Sequence, residues 1–170
     1  MKKKFLIVLL LFTLLTIGVS TVGASRLPHN FHAGLSGRAE VPPVASHAEG
    51  QATFQLSHDG ETLQYRLLVR NIVDVTQAHI HCGPRGANGP VVAFLYPDAP
   101  PAQLIPGLFS GTLAEGTRTD ANIIAQPDSP VCPGGLANLH DLIVQMRHGN
   151  TYVNVHTLAN PAGEIRGQIR

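Results

Sequence analysis

Apolar and polar residues alternate in short runs through most of this chain, and Gly, Pro, Asn and Asp break the runs. Such a pattern predicts antiparallel strands in a sandwich or barrel. Residues 51–56 set Ala52, Phe54 and Leu56 on one face. Ser57-His58-Asp59-Gly60 reads as a turn, and residues 62–70 put Leu63, Tyr65, Leu67 and Val69 inward, so the two runs form a hairpin. Upstream, from 31 to 41, the alternation is looser, and Pro42-Pro43 ends it.

A separate strand is expected over 75–82. Its apolar face is Ala78, Ile80 and Cys82, and its polar face is Gln77, His79 and His81. With the apolar set in the core, the histidines face outward or into a crevice under the loop at 83–90. A continuous apolar run at 91–96 reads as a buried strand. Residues 97–106 are proline-rich and irregular, 108–113 form a strand, and 115–135 read as a long loop. Strands at 151–157 and 164–169 are joined by Asn160-Pro161-Ala162-Gly163, a turn sequence that makes them a hairpin.

One segment breaks the period of two. Leu139, Leu142, Ile143 and Met146 recur at helical spacing. Asn138 suits the N-cap and Gly149 the left-handed residue after the helix. The fold class expected is therefore all-β, an antiparallel sandwich or barrel with one short α-helix near 138–148.

The chain starts Met1-Lys2-Lys3-Lys4, turns apolar from Phe5 to about Ile17, and exits through Val22-Gly23-Ala24. That order describes a secretory signal peptide over 1–24, followed by a short segment at 25–30 and one domain over 31–170. The apolar run is short for a span of roughly 20 residues, so no membrane span is expected once the leader is removed. All three lysines lie in the leader. Of 12 Lys+Arg, 9 arginines then face 11 Asp+Glu, a balance of 9 − 11 = −2. A lysine-free, slightly acidic domain argues against nucleic acid as a partner. The expected location is secreted or otherwise extracytoplasmic, in a periplasm or at a cell surface. Cys82 and Cys132 read as one disulfide in such a compartment. Two free thiols, or a Cys82 thiolate as a metal ligand, are the alternatives.

Candidate chemistry centres on histidine. His79 and His81 share a strand face, and His156 sits in the later strand at 151–157. If those strands are neighbours, three imidazoles converge, a donor set suited to one copper or zinc ion. Structurally, the same rings can instead hydrogen-bond the 83–90 loop or Asn154, which shares a face with His156. His47 is the other histidine of interest, because Pro42-Pro43 can fold its loop over the sheet. Glu40 and Glu164 can pair with Arg38 or Arg166. No Ser/His/Asp or Cys/His nucleophile arrangement stands out, and the loop at 83–89 lacks the ending of a phosphate-binding loop.

Several segments together resemble the CHRD domain, the module named after chordin. They are Leu35-Ser36-Gly37-Arg38-Ala39-Glu40-Val41-Pro42-Pro43-Val44, Ala78-His79-Ile80-His81-Cys82-Gly83, Asn88-Gly89-Pro90-Val91-Val92, Tyr152-Val153-Asn154-Val155-His156-Thr157 and Pro161-Ala162-Gly163-Glu164-Ile165-Arg166-Gly167-Gln168-Ile169. The resemblance implies a β-sandwich or barrel of immunoglobulin-like character and no established catalytic role. It implies an exported, non-enzymatic binding or structural module whose partner is a protein or a glycan. A looser resemblance is to the copper-zinc superoxide dismutase architecture, in which a His-x-His strand and a later histidine bind copper. It implies that His79, His81 and His156 take the copper-ligand part; Asn154 and Glu164 are the supporting residues expected around them. The loop at 83–90 holds no histidine or aspartate, so a second, zinc-type site has no ligands there.

Overall fold

The computed structural model describes residues 29–170. The leader expected over 1–24 lies outside the described residues, as does most of the segment at 25–30. Seven strands and one α-helix follow in the order β1 (Asn30–Ser36), β2 (Glu49–Leu56), β3 (Leu63–Cys82), β4 (Val91–Tyr96), β5 (Ile105–Arg118), α1 (Leu139–Arg147), β6 (Thr151–Thr157) and β7 (Ile165–Gln168). All pairings are antiparallel. Strands β2-β1-β7-β6-β3 run side by side, and β3 pairs back onto β2, so these five close into a barrel. On its other edge β3 carries β5 along its first part and β4 along its end.

The alternating positions fill the interior as expected. Ala52, Phe54 and Leu56 face Leu67, Tyr65 and Leu63 across the β2–β3 hairpin, and all six are buried. Ala78, Ile80 and Cys82 are wholly buried in the same core as Val153, Val155 and Ile165. Helix α1 starts where predicted. The Asn138 side chain accepts the Asp141 amide at 2.9 Å, and Leu139, Leu142, Ile143 and Met146 join the core.

Three boundaries differ from expectation. The runs expected at 62–70 and 75–82 are one 20-residue strand, Leu63–Cys82. Asn71 and Asp74 take φ of 55° and 53° within it. Both residue types tolerate that region, so they bend the strand instead of ending it. Strand β5 continues to Arg118, and Glu115 and Arg118, expected in a loop, pair with Arg66 and Leu63. Strand β1 ends at Ser36, where a short 3-10 turn leads into the segment that carries Glu40.

Cys82 and Cys132 form a disulfide between positions 50 apart. Free thiols and a Cys82 thiolate ligand are thereby excluded. The bridge ties the long connection between β5 and α1 to the last residue of β3.

Candidate metal centre

Cross-strand register builds the site. On the outer face of the barrel, His79 pairs with Asn154, and Asn154 with Arg166. In the next row His81 pairs with Tyr152 and Tyr152 with Gln168, while Gln77 pairs with His156. Directly opposite residues point to the same side of a sheet. One wall of the barrel therefore carries a polar layer, and loops cover it.

Three segments form the cover. The 83–90 loop folds back until the Gly89 carbonyl accepts a hydrogen bond from His81 Nδ1 at 2.9 Å. The 158–164 turn presents the Pro161 carbonyl, which accepts from His156 Nδ1 at 3.0 Å. The 37–48 segment brings Glu40, whose carboxyl oxygens accept from Asn154 Nδ2 at 2.9 and 3.1 Å. Two glycines permit this closeness. A Cβ on Gly89 would lie 1.7 Å from the Cys82 carbonyl oxygen, and one on Gly163 would lie 2.3 Å from Asn154 Nδ2.

Beneath the cover, His79, His81 and His156 are 3, 9 and 6 % exposed. One nitrogen of each ring lies within 4.8 Å of the others, and among the described residues no cysteine or carboxylate joins the group. His79 Nδ1 is 3.2 Å from His156 Nε2. The network assigns the tautomers. His156 and His81 spend their Nδ1 protons on carbonyls, which leaves a bare Nε2 on each. His79 must then donate from Nδ1 to His156, so its Nε2 is bare as well. The Nε2 atoms of His79 and His81 are buried and meet no hydrogen-bond donor. Around them, Phe94 stands edge-on to His79 at 4.6 Å, and Tyr152 stacks on His81 at 4.8 Å with planes 10° apart.

These rings are neutral. Burial, then His156 and His81, pushes His79 down to about 3. Burial also takes His81 down to about 4, against its bond to Gly89, which raises it. His156 is lowered by burial, against its bond to Pro161. Glu40 is raised by burial to about 7, with Arg166 and the Val41 amide pulling it back.

Opposite signs follow for pH. Unfolded, these histidines protonate near pH 6.5; folded, His79 does so only near 3 and His81 near 4, and His156 is lowered too, so their contribution is lost as pH falls below 6.5. Glu40 acts in reverse, and its contribution is lost as pH rises from 4.5 through about 7. Three rings outweigh one carboxyl. The thermal midpoint of metal-free protein is expected to fall between pH 6.5 and 4; a level or rising midpoint would contradict this.

The remaining candidates separate clearly. Glu164 accepts from Ser46, Thr157 and Asn160, bracing the turn beside His156 instead of pairing with an arginine. Glu40 bonds Asn154, with Arg166 acting on it through space. The segment after Pro42-Pro43 does cover the sheet, but His47 on it is exposed. Histidines 32, 58, 140 and 148 are exposed too.

Sequence reasoning missed Tyr152, and it took Arg166 only as a partner for Glu40 or Glu164. The Arg166 guanidinium lies 3.4 Å over the Tyr152 ring and bonds Asn88, Pro84 and Ala87 of the covering loop. The available signal was period: 152, 154 and 156 share one face of β6, and 166 belongs to the strand that pairs with it.

Gly89→Ala tests the cover. The added methyl must displace the loop from Cys82, and such overpacking costs about 2 kcal/mol. It also shifts the residue-89 carbonyl that accepts from His81 Nδ1. Unchanged thermal stability in this variant would show that the loop does not need its close approach.

The model of the CHRD domain family matches residues 31–169. Comparison with curated proteins and with solved structures returned no match. With the motifs in order across the barrel and the match spanning nearly all of the described residues, the chain belongs to the CHRD domain family.

Proposed function

We propose that this chain is an exported, non-enzymatic binding module whose built site is a mononuclear transition-metal centre, for copper or zinc, on His79, His81 and His156. The observation that carries this reading is the pair of bare Nε2 atoms on His79 and His81, buried with no donor. Leaving a buried acceptor unpaired costs about 1–3 kcal/mol each. A cation among the three rings, one nitrogen of each lying within 4.8 Å of the others, would use such acceptors. The carbonyl bonds from His81 and His156 are the support that metal-bound imidazoles use. Three neutral rings need no deprotonation before they bind; His156 has only to release the hydrogen bond that its Nε2 accepts from His79 Nδ1.

The residues then divide the work. The three imidazoles bind the ion, and the Gly89 and Pro161 carbonyls fix which nitrogen His81 and His156 present. Phe94 and Tyr152 keep bulk water out. The bound ion would supply Lewis acidity or, for copper, electron transfer. An ion about 2.0 Å from each nitrogen needs the widest separation, at most 4.8 Å, to close by about 1 Å.

A second reading has its own support. The bonds from His81 and His156 hold two loops on the barrel, so the histidines serve structure while another surface binds a protein or glycan. The two readings separate in a His79→Ala/His81→Ala variant. Metal binding is expected to be stoichiometric in the parent and absent in the variant, which still folds. No metal in the parent, with the variant losing only thermal stability, would favour the structural role.

A further inference from the structure

Resting on that reading, we infer that the three-histidine cluster selects monovalent copper, Cu(I), over Cu(II) and Zn(II). The argument concerns charge and coordination number.

The donor set is three neutral rings. No carboxylate joins the cluster among the described residues, and the nearby Cys82 is tied into the disulfide. Whatever ion enters keeps its full charge in a site where each ring is less than a tenth exposed. The cost of taking an ion out of water grows as the square of its charge, so a divalent ion incurs about four times the penalty of a monovalent one. The formal charge stacked against the cluster is itself positive: Arg166, 2 % exposed, sits over Tyr152, and Tyr152 stacks on His81. Its repulsion is twice as large for a divalent ion.

Coordination points the same way. Zinc takes four ligands, and a three-histidine zinc site completes its shell with water or hydroxide. Divalent copper prefers a tetragonal arrangement. Here the rings are flanked by Phe94 and Tyr152. Cu(I), a closed-shell ion, is satisfied by three nitrogen donors. The known carboxyl of the layer, Glu40, is turned to Asn154 and lies outside the cluster.

The test is competition. Purified protein is titrated anaerobically with Cu(I), held by a chromophoric Cu(I) chelator without thiol reductant, and separately with Cu(II) and Zn(II) against chelators of known affinity. The His79→Ala/His81→Ala variant is run beside it. The expected result is one Cu(I) per chain, bound at least a hundredfold tighter than Cu(II) or Zn(II) and lost in the variant. A hundredfold preference over Cu(II) raises the copper potential by about 120 mV. Copper-loaded protein should then show no stoichiometric Cu(II) resonance signal. Zn(II) or Cu(II) bound as tightly as Cu(I), still dependent on the histidines, would overturn the Cu(I) assignment and leave the metal reading standing. Failure of all three ions to bind would overturn both.

Discussion

Replacing Cys82 and Cys132 together by alanine is expected to lower the stability of the domain by about 4 kcal/mol. The bridge joins positions 50 apart, and a loop of that length restricts the unfolded chain by about this amount on the chain-entropy model. Few strands compete for the task. Between the end of β5 at Arg118 and the start of α1 at Leu139 the chain forms only a short 3-10 turn. It is tied to β4 by Ile124 donating to the Val92 carbonyl, and to itself by Gln126 and Leu136 bonded in both directions. Both cysteines are wholly buried, so the alanines leave space as well as freedom. Whole domains are stable by about 5–15 kcal/mol, so the variant should unfold at a much lower denaturant concentration. Equilibrium unfolding of parent and variant measures this; a difference under about 1 kcal/mol would show that strand pairing and helix packing hold the long connection without the bridge.

Arg166→Met is the second large effect, expected to cost about 3 kcal/mol. Arg166 is an almost fully buried cation that reaches across the polar layer. It donates to Asn88 Oδ1 at 3.1 Å, to the Pro84 carbonyl at 3.2 Å and to the Ala87 carbonyl at 2.8 Å, all on the loop that covers the histidines. Methionine matches much of its volume and none of its donors. Hydrogen bonds to charged groups contribute about 1.5–3 kcal/mol each when broken singly. Some of that returns, because the methionine no longer buries a charge. Arg166→Lys separates charge from shape. Lysine keeps the charge but cannot serve three acceptors in the plane that stacks on Tyr152, so it should recover little of the loss. Full recovery by lysine, read in thermal or denaturant unfolding, would mean that charge alone seats Arg166.

Much of this arrangement is legible in the sequence. The alternation at 51–56 and 63–69 gave the hairpin and its buried face. Period two put His79 and His81 on one side of a strand and Ala78, Ile80 and Cys82 on the other. The spacing of Leu139, Leu142, Ile143 and Met146 gave the helix and its cap. What stayed hidden was long-range or atypical. Asn71 and Asp74 look like a break, yet their left-handed backbone bends a continuous β3 so that its two parts serve different neighbours. The extension of β5 through Glu115 and Arg118 carries no apolar face toward solvent, so nothing in the local pattern marks it as a strand. Arginine and glutamate are residue types usually found at a surface, and tyrosine is intermediate. The burial of Arg166, Glu40 and Tyr152 follows from cross-strand register and from loops folding back, neither of which a local pattern encodes. The convergence of His156 on His79 and His81 depends on β6 lying beside β3, a pairing between segments more than 70 residues apart in the chain.

X-ray absorption at the metal edge of copper-loaded protein tests the central claim most directly. The account predicts a first shell of three nitrogen neighbours near 2.0 Å with the outer-shell scattering of imidazole rings, falling to one ring or to no bound copper in the His79→Ala/His81→Ala variant. A shell dominated by oxygen, or an imidazole signal that survives unchanged in that variant, would place the metal elsewhere and contradict the assignment of His79, His81 and His156 as its ligands.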